Sequence, residues 1–150
     1  MALDQEKYVE GVKGIIINFL KSIVPEADNV PAFPDITGSS FSLKKPIVFV
    51  EFEREVNLDI RRGRHNGRGK RVKRKQLTFS FQVVTTGDNK AVMERDRIIQ
   101  KIINGVMSKE DFLSGKGIRK ADAKYTGSFR VREGVHLARI DFYGEVKFIN

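Results

Sequence analysis

Nine lysines and arginines crowd into the stretch RRGRHNGRGKRVKRK, residues 61–75, without one carboxylate. They are Arg61, Arg62, Arg64, Arg68, Lys70, Arg71, Lys73, Arg74 and Lys75. The whole chain has 28 basic and 19 acidic residues, a formal charge of +9, so the positions outside this stretch are balanced and all of the net charge sits in it. Such a cluster is built for anions in series, since it can neutralise about six phosphates with residues to spare. It holds no aromatic residue, so base stacking is not indicated and the contact would be to backbone charge rather than to sequence. A contact to an acidic protein neighbour and a solvated charge run are the other two uses of the same composition.

Candidates for catalysis are few. His65 and His136 are the only histidines, far apart in sequence, and His65 lies inside the basic stretch. The glycines of RRGRHNGRG do not link a strand to a helix as a phosphate-binding loop requires, and are expected to be turn residues. Pro34-Asp35 followed by Glu51 and Glu53 resembles the metal-binding core of the restriction-type nucleases, where an acid-x-lysine follows the proline-aspartate pair. The lysine position is Glu53 here, so the cation that stabilises an attacking water is missing. Glu51 and Glu53 are also what an alternating strand needs as solvent-facing neighbours of Val50 and Phe52. The residues therefore point to a protein that is not an enzyme, with no metal ligands and no cofactor.

The elements that must position the basic stretch follow from periodicity. At 150 residues and 40% apolar content, the chain is expected to form a single domain, 1–150. It has no cysteine, which fits assembly in a reducing cytoplasm. Its longest apolar run, GIIINFL at residues 14–20, is too short to cross a bilayer, and MALDQEKY does not open like a secretory signal. Tyr8, Val12, Ile15, Ile16, Phe19 and Ile23 share one helical stripe, stopped at Pro25. All four prolines then fall in residues 25–46, a long connection.

Beyond it Val48, Val50, Phe52, Val56, Leu58 and Ile60 alternate as one strand, and Leu77, Phe79, Phe81, Val83 and Thr85 as the next. Asn66-Gly67 between them favours a type I′ hairpin turn. As a two-residue loop it would pair residues whose numbers sum to 133: Phe52 with Phe81, Val50 with Val83, Val56 with Leu77 and Val48 with Thr85. Strands of that length, at about 3.4 Å per residue, would reach ~50 Å, so the basic end forms a projecting arm. Asp88 or Asn89 caps a second helix carrying Val92, Ile99, Ile102, Ile103 and Val106, and a short helical turn opens near Ser108, closes at Gly115 and docks Phe112 and Leu113. Ala121, Ala123, Tyr125, Phe129 and Val131 mark a third strand; Ala138, Ile140, Phe142, Val146 and Phe148 mark a fourth, with Glu133-Gly134 turning between them. The expectation is an α+β fold of α-β-β-α-β-β order, with a mainly antiparallel four-stranded sheet packed by two helices and a long basic β-hairpin arm.

That order, the proline-bearing connection before the first strand and the long charged hairpin together resemble the tail-terminator and neck (head-tail joining, tail completion) proteins of tailed bacteriophages, over residues 5–148. The resemblance implies a structural virion protein forming a homo-hexameric ring at the top of the tail tube. Such a ring meets the tail tube protein below and the head connector or other neck proteins above, with DNA passing through it and no membrane involved. It implies assembly in the host cytoplasm and residence in the virion, with the arm touching DNA non-specifically or an acidic neighbour. No catalytic residue comes with it. The last strand, HLARIDFYGEVKF, or the hairpin is expected to reach the adjacent subunit; the counter-reading is that the helices cover one sheet face and this strand is central and buried, which would make the single chain complete by itself. The alternative is a small sequence-nonspecific nucleic-acid-binding protein or a degenerate relative of the nucleases.

Overall fold

A computed structural model describes residues 5–30, 43–58 and 72–149 of the protein. The first apolar stripe folds as helix α1 (Gln5–Ile23), with Val12, Ile16, Phe19 and Leu20 buried. Val24 N still donates to Leu20 O at 2.8 Å, and Pro25, which lacks the N–H that would extend the helix, comes next. Next come strands β1 (Asp28–Val30), β2 (Ile47–Asn57) and β3 (Val72–Thr86), then helices α2 (Asn89–Ser108) and α3 (Glu110–Gly115), and last β4 (Arg119–Arg132) and β5 (Val135–Ile149). The strands form one sheet in the order β1-β2-β3-β5-β4, with β1 parallel to β2 and all other pairs antiparallel.

The fold is thus α+β, with a five-stranded mixed sheet and three helices, rather than the four antiparallel strands and two helices expected. The extra strand is three residues inside the proline-bearing connection, too short to show a period of two and held by parallel pairing to residues distant in sequence. A second correction concerns the last strand. β5 lies between β3 and β4, central as the counter-reading had it, and the outer strand on that side of the sheet is β4.

One face of the sheet carries the main core. Val48 and Val50 of β2, Leu77, Phe79, Phe81 and Val83 of β3, and Ala138, Ile140, Phe142 and Val146 of β5 are all buried there with Ile98, Ile102 and Val106 of α2 and Leu113 of α3. The Phe81 and Phe142 rings stack at 5.3 Å between centroids, and Phe52 meets Phe79 edge-on at 5.5 Å, geometries that add to the area the rings bury. Asp88 caps α2 by accepting a hydrogen bond from Lys90 N at 3.1 Å. The buried stripe of α2 runs through Ala91, Ile98, Ile99, Ile102 and Val106, with Val92 only half-buried. Phe112 of α3 stays half exposed, its ring 6.3 Å from that of Phe19.

The β2–β3 register differs from the expected one. Phe52 lies opposite Phe79, Val50 opposite Phe81 and Val48 opposite Val83, so the paired numbers sum to 131, not 133. A slide of two residues keeps every side chain on its own face, so the alternation cannot tell the two registers apart. Between Phe52 and Arg54 the ladder then slips by one, Glu55 facing Leu77 and Val56 facing Gln76. This bulge at Glu53 reverses the faces of everything after it. Val56, expected beside Leu77 in the core, turns to the other face and is 45% exposed, while Glu55 takes its place. The Asn66-Gly67 turn, Ile60 and the arm tip lie outside the described residues.

Two substitutions test the packing. A Cβ on Gly144 would sit 2.6 Å from Ile118 Cγ2 and 3.3 Å from Phe142 Cε1, both within the core, whereas Gly11 on the exposed side of α1 has open space around it. Gly144→Ala is expected to destabilise the fold by about 1–3 kcal/mol and Gly11→Ala to stabilise it by about 0.5–1 kcal/mol, read from urea unfolding midpoints.

The ion pair of Glu26 with Lys101, 2.6 Å long, links the turn after α1 to α2. Burial pushes the Glu26 carboxyl up, but the Lys101 hydrogen bond, a backbone hydrogen bond and the charges of Lys101 and Arg97 outweigh it, holding it below the ordinary value. A carboxylate lowered by folding stabilises above its unfolded pKa and loses that contribution as pH falls through the folded one. Glu26→Gln is expected to cost less than about 1 kcal/mol near neutral pH, the pair being partly exposed, and nothing once the wild-type carboxyl is protonated; acid-unfolding curves of the two proteins should converge there.

Candidate polyanion-binding and assembly surfaces

The root of the basic arm is where β2 and β3 run past the apolar core. Leu58 N still donates to Arg74 O at 3.0 Å, so the two chains remain paired at the last described residue of the first strand. Lys75 lies on the helix-bearing face two residues from Leu77 and opposite the buried Val146. The bulge at Glu53 delivers Glu55 to the same face, and Lys75 Nζ reaches its Oε1 at 3.1 Å with both side chains largely buried. On the opposite face Arg74 pairs with Glu145 of β5 at 3.6 Å, and Lys120 of β4 reaches the other oxygen of the same carboxylate at 3.4 Å. Of the nine candidate polyanion-binding residues, Arg74 and Lys75 are therefore engaged with acids that anchor the arm's root. Lys73 belongs to β3, opposite Phe148. Arg61, Arg62, Arg64, Arg68, Lys70 and Arg71 lie outside the described residues. The acids Glu55 and Glu145 could not be matched to these cations from sequence, because one match needs the bulge and the other needs β5 beside β3.

The second face of the sheet is polar through its middle, where Glu51, Ser80, Gln82, Arg139, Asp141 and Tyr143 lie on neighbouring strands. Arg139 organises part of it, with Nε donating to Asp141 Oδ1 at 3.1 Å and Nη2 lying 3.3 Å from Glu53 Oε1. Glu53 of the nuclease-like constellation is thus held by an arginine, and Glu51 is exposed to solvent as the alternation required. Pro34 and Asp35 lie outside the described residues. Among the described residues no three histidines or carboxylates gather into a metal-binding group. His136 is buried at the start of β5, with Nε2 3.1 Å from Gly87 O, tying that strand to the turn before α2.

The flanks of the sheet are the remaining surfaces. β4 is a 14-residue outer strand, RKADAKYTGSFRVR, with five cations and one carboxylate. Its ladder with β5 slips at three places, between Arg119 and Asp122, between Tyr125 and Gly127 and between Arg130 and Arg132. The middle slip flips the alternation, so Tyr125 faces the side of the helices while Phe129 faces the opposite side, beside Leu137. Both rings are exposed, 46% and 55%, where a single alternation would have turned both towards the core. On the far flank β1 covers only Ile47, Val48 and Phe49 of β2, and among the described residues nothing pairs with the outer side of β2 beyond them. No described helix is long and apolar enough to cross a membrane. No protein-family model and no curated protein matches this sequence.

The anchoring of Arg74 and Lys75 at the arm's root and the expected polyanion contact of the arm predict two different phenotypes. For binding to duplex DNA, the log–log dependence of affinity on salt should lose about 0.9 of slope for each phosphate contact removed. Replacing Arg61, Arg62, Arg64 and Arg68 together with serine is expected to flatten that slope and leave thermal stability unchanged. Arg74→Ser with Lys75→Ser should lower stability and alter the slope little.

Proposed function

We propose that this protein is a structural, non-enzymatic subunit of a tailed-phage neck, a ring former of the tail-terminator type. In that role it caps the tail tube and joins it to the head connector, with the basic arm of residues 61–75 contacting DNA or an acidic neighbour. The observation that carries the ring is the outer flank of β4: a 14-residue strand at the rim of the sheet, with Tyr125 and Phe129 exposed on its two sides. A strand edge offers a row of backbone donors and acceptors, and proteins that stay single cover, shorten, bulge or charge such edges; β4 is long and uncovered among the described residues, and its five cations and three slips limit which strands can join it. A hexameric ring turns the edge from a liability into a joint, since a head-to-tail contact closes when its rotation divides the circle.

The α+β architecture is compatible with this role, and the concentration of all net charge in one segment supports the contact assigned to the arm. A neutral body lets copies approach one another, while a cationic arm adds attraction to DNA or to acidic surfaces that weakens as salt rises.

Light scattering over a range of protein concentrations is the test. The expected result is a mass near six times the 17.1 kDa of one chain, without nucleic acid, and rings in electron micrographs. A mass that stays at 17.1 kDa at every concentration, with association only on adding DNA, would replace this function by that of a small sequence-nonspecific nucleic-acid-binding protein.

A further inference from the structure

We propose that the joint between copies is a β-sheet continued from one chain to the next, in which residues 50–57 of one copy's β2 pair antiparallel with the β4 edge of its neighbour, Glu51 facing Lys124 and Arg54 facing Asp122. This rests on the ring proposed above and specifies the surface that closes it.

Strand direction comes first. β2, β3, β5 and β4 alternate in direction across the sheet, so β4 runs opposite to β2. A neighbouring copy in the same orientation brings its β2 alongside β4 as the next antiparallel strand, with no change of pattern. Among the described residues the sheet has one edge of each kind without a paired strand, the outside of β4 and the outside of β2 from the exposed Glu51 onward.

Charge selects this pairing over a two-fold one. β4 carries Arg119, Lys120, Lys124, Arg130 and Arg132 against Asp122, while on β2 Glu53 and Glu55 already pair with Arg139 and Lys75, so that Glu51 and Arg54 are the charges that face a neighbour. A β4–β4 contact would set two cationic strands side by side, which like-charge pairing across a ladder penalises; β4 against β2 lets Glu51 and Arg54 each meet an opposite charge. The same charges that keep β4 from pairing with arbitrary strands therefore favour one partner, a second copy of this chain.

The register follows from which side chains share a face. Glu51 and Arg54 of β2 and Asp122 and Lys124 of β4 all lie on the face away from the helices. With Glu51 opposite Lys124, Phe52 falls opposite Ala123 and Val50 opposite Tyr125 on the helix-bearing face. The bulge at Glu53 skips one residue and then sets Arg54 opposite Asp122. Both cross-strand charge pairs are formed at once. A slide of two residues one way sets Glu51 against Asp122, and the other way sets Arg54 against Lys124, like charges in both cases.

Charge reversal on each edge tests the contact in the full-length chain. One variant carries Asp122→Arg and Lys124→Glu, the other Glu51→Lys and Arg54→Glu; all four sites are exposed, and unchanged thermal unfolding confirms the fold. Each variant alone is expected to lose the oligomer at concentrations where the wild type is assembled. An equimolar mixture of the two should recover it, because each reversed edge then meets a reversed partner and each native edge a native one. A β4 variant that still assembles like the wild type, or a mixture that stays monomeric while the wild type forms rings, overturns this contact and leaves the ring intact. A wild-type chain that remains monomeric overturns both.

Discussion

Fifteen consecutive pairs, from Val72 with Ile149 to Thr86 with Val135, hold β3 and β5 in one unbroken register. This ladder is the constraint on which the rest of the structure depends. It places Phe79 beside Phe142 and Phe81 beside Ile140 in the middle of the helix-bearing face, where a shift of one residue would turn the entire aromatic set towards the polar side. A two-strand spine of this length would expose both of its rims, so β2 and β4 must flank it, and every irregularity of the sheet is found in those outer strands: one slip in β2 and three in β4. The helices complete the core by covering the face the spine defines, with Ile98, Ile102 and Val106 of α2 and Ile16 and Phe19 of α1 buried in the same cluster.

The slips convert a uniform alternation into local chemistry. In β2 the bulge at Glu53 withdraws Val56 from the core and supplies Glu55 to Lys75, so the arm begins on a paired charge instead of a buried hydrophobe. It also leaves Glu53 within reach of Arg139, which joins the rim of the sheet to β5. In β4 the slip after Tyr125 sends that ring and Phe129 to opposite faces, neither covered by a helix. An outer strand that spends its aromatic residues on solvent gains nothing for its own core; the arrangement has a physical use when another chain lies alongside.

What could be read from the sequence was what depends on near neighbours. The apolar stripe and proline stop of α1, the Asp88 cap of α2, the turn at Glu133-Gly134 and the alternation of β3 and β5 all follow from residues within a few positions of one another. The pairing of strands did not, since the Phe52–Phe81 and Phe52–Phe79 registers bury the same faces, and the bulge at Glu53 has no signature in EFEREV. β1 was missed because three residues carry no period, and whether the last strand reached a neighbour or lay inside the sheet stayed open because topology depends on contacts between distant segments. For the candidate surfaces, the basic segment was evident from composition alone, while its anchoring at Glu55 and Glu145 and the bare flank of β4 required the sheet.

In the proposed assembly β4 is the edge through which copies of this chain join. Amide hydrogen exchange of the assembled and the dissociated protein, resolved to peptides covering residues 119–132, addresses it most directly. The outward amides of β4 should exchange quickly in single chains and become protected on assembly, together with peptides covering residues 50–57 and with the β3–β5 spine unchanged. Assembly that leaves β4 exchanging as fast as in the single chain, while protection appears on α2 or elsewhere, would contradict the claim.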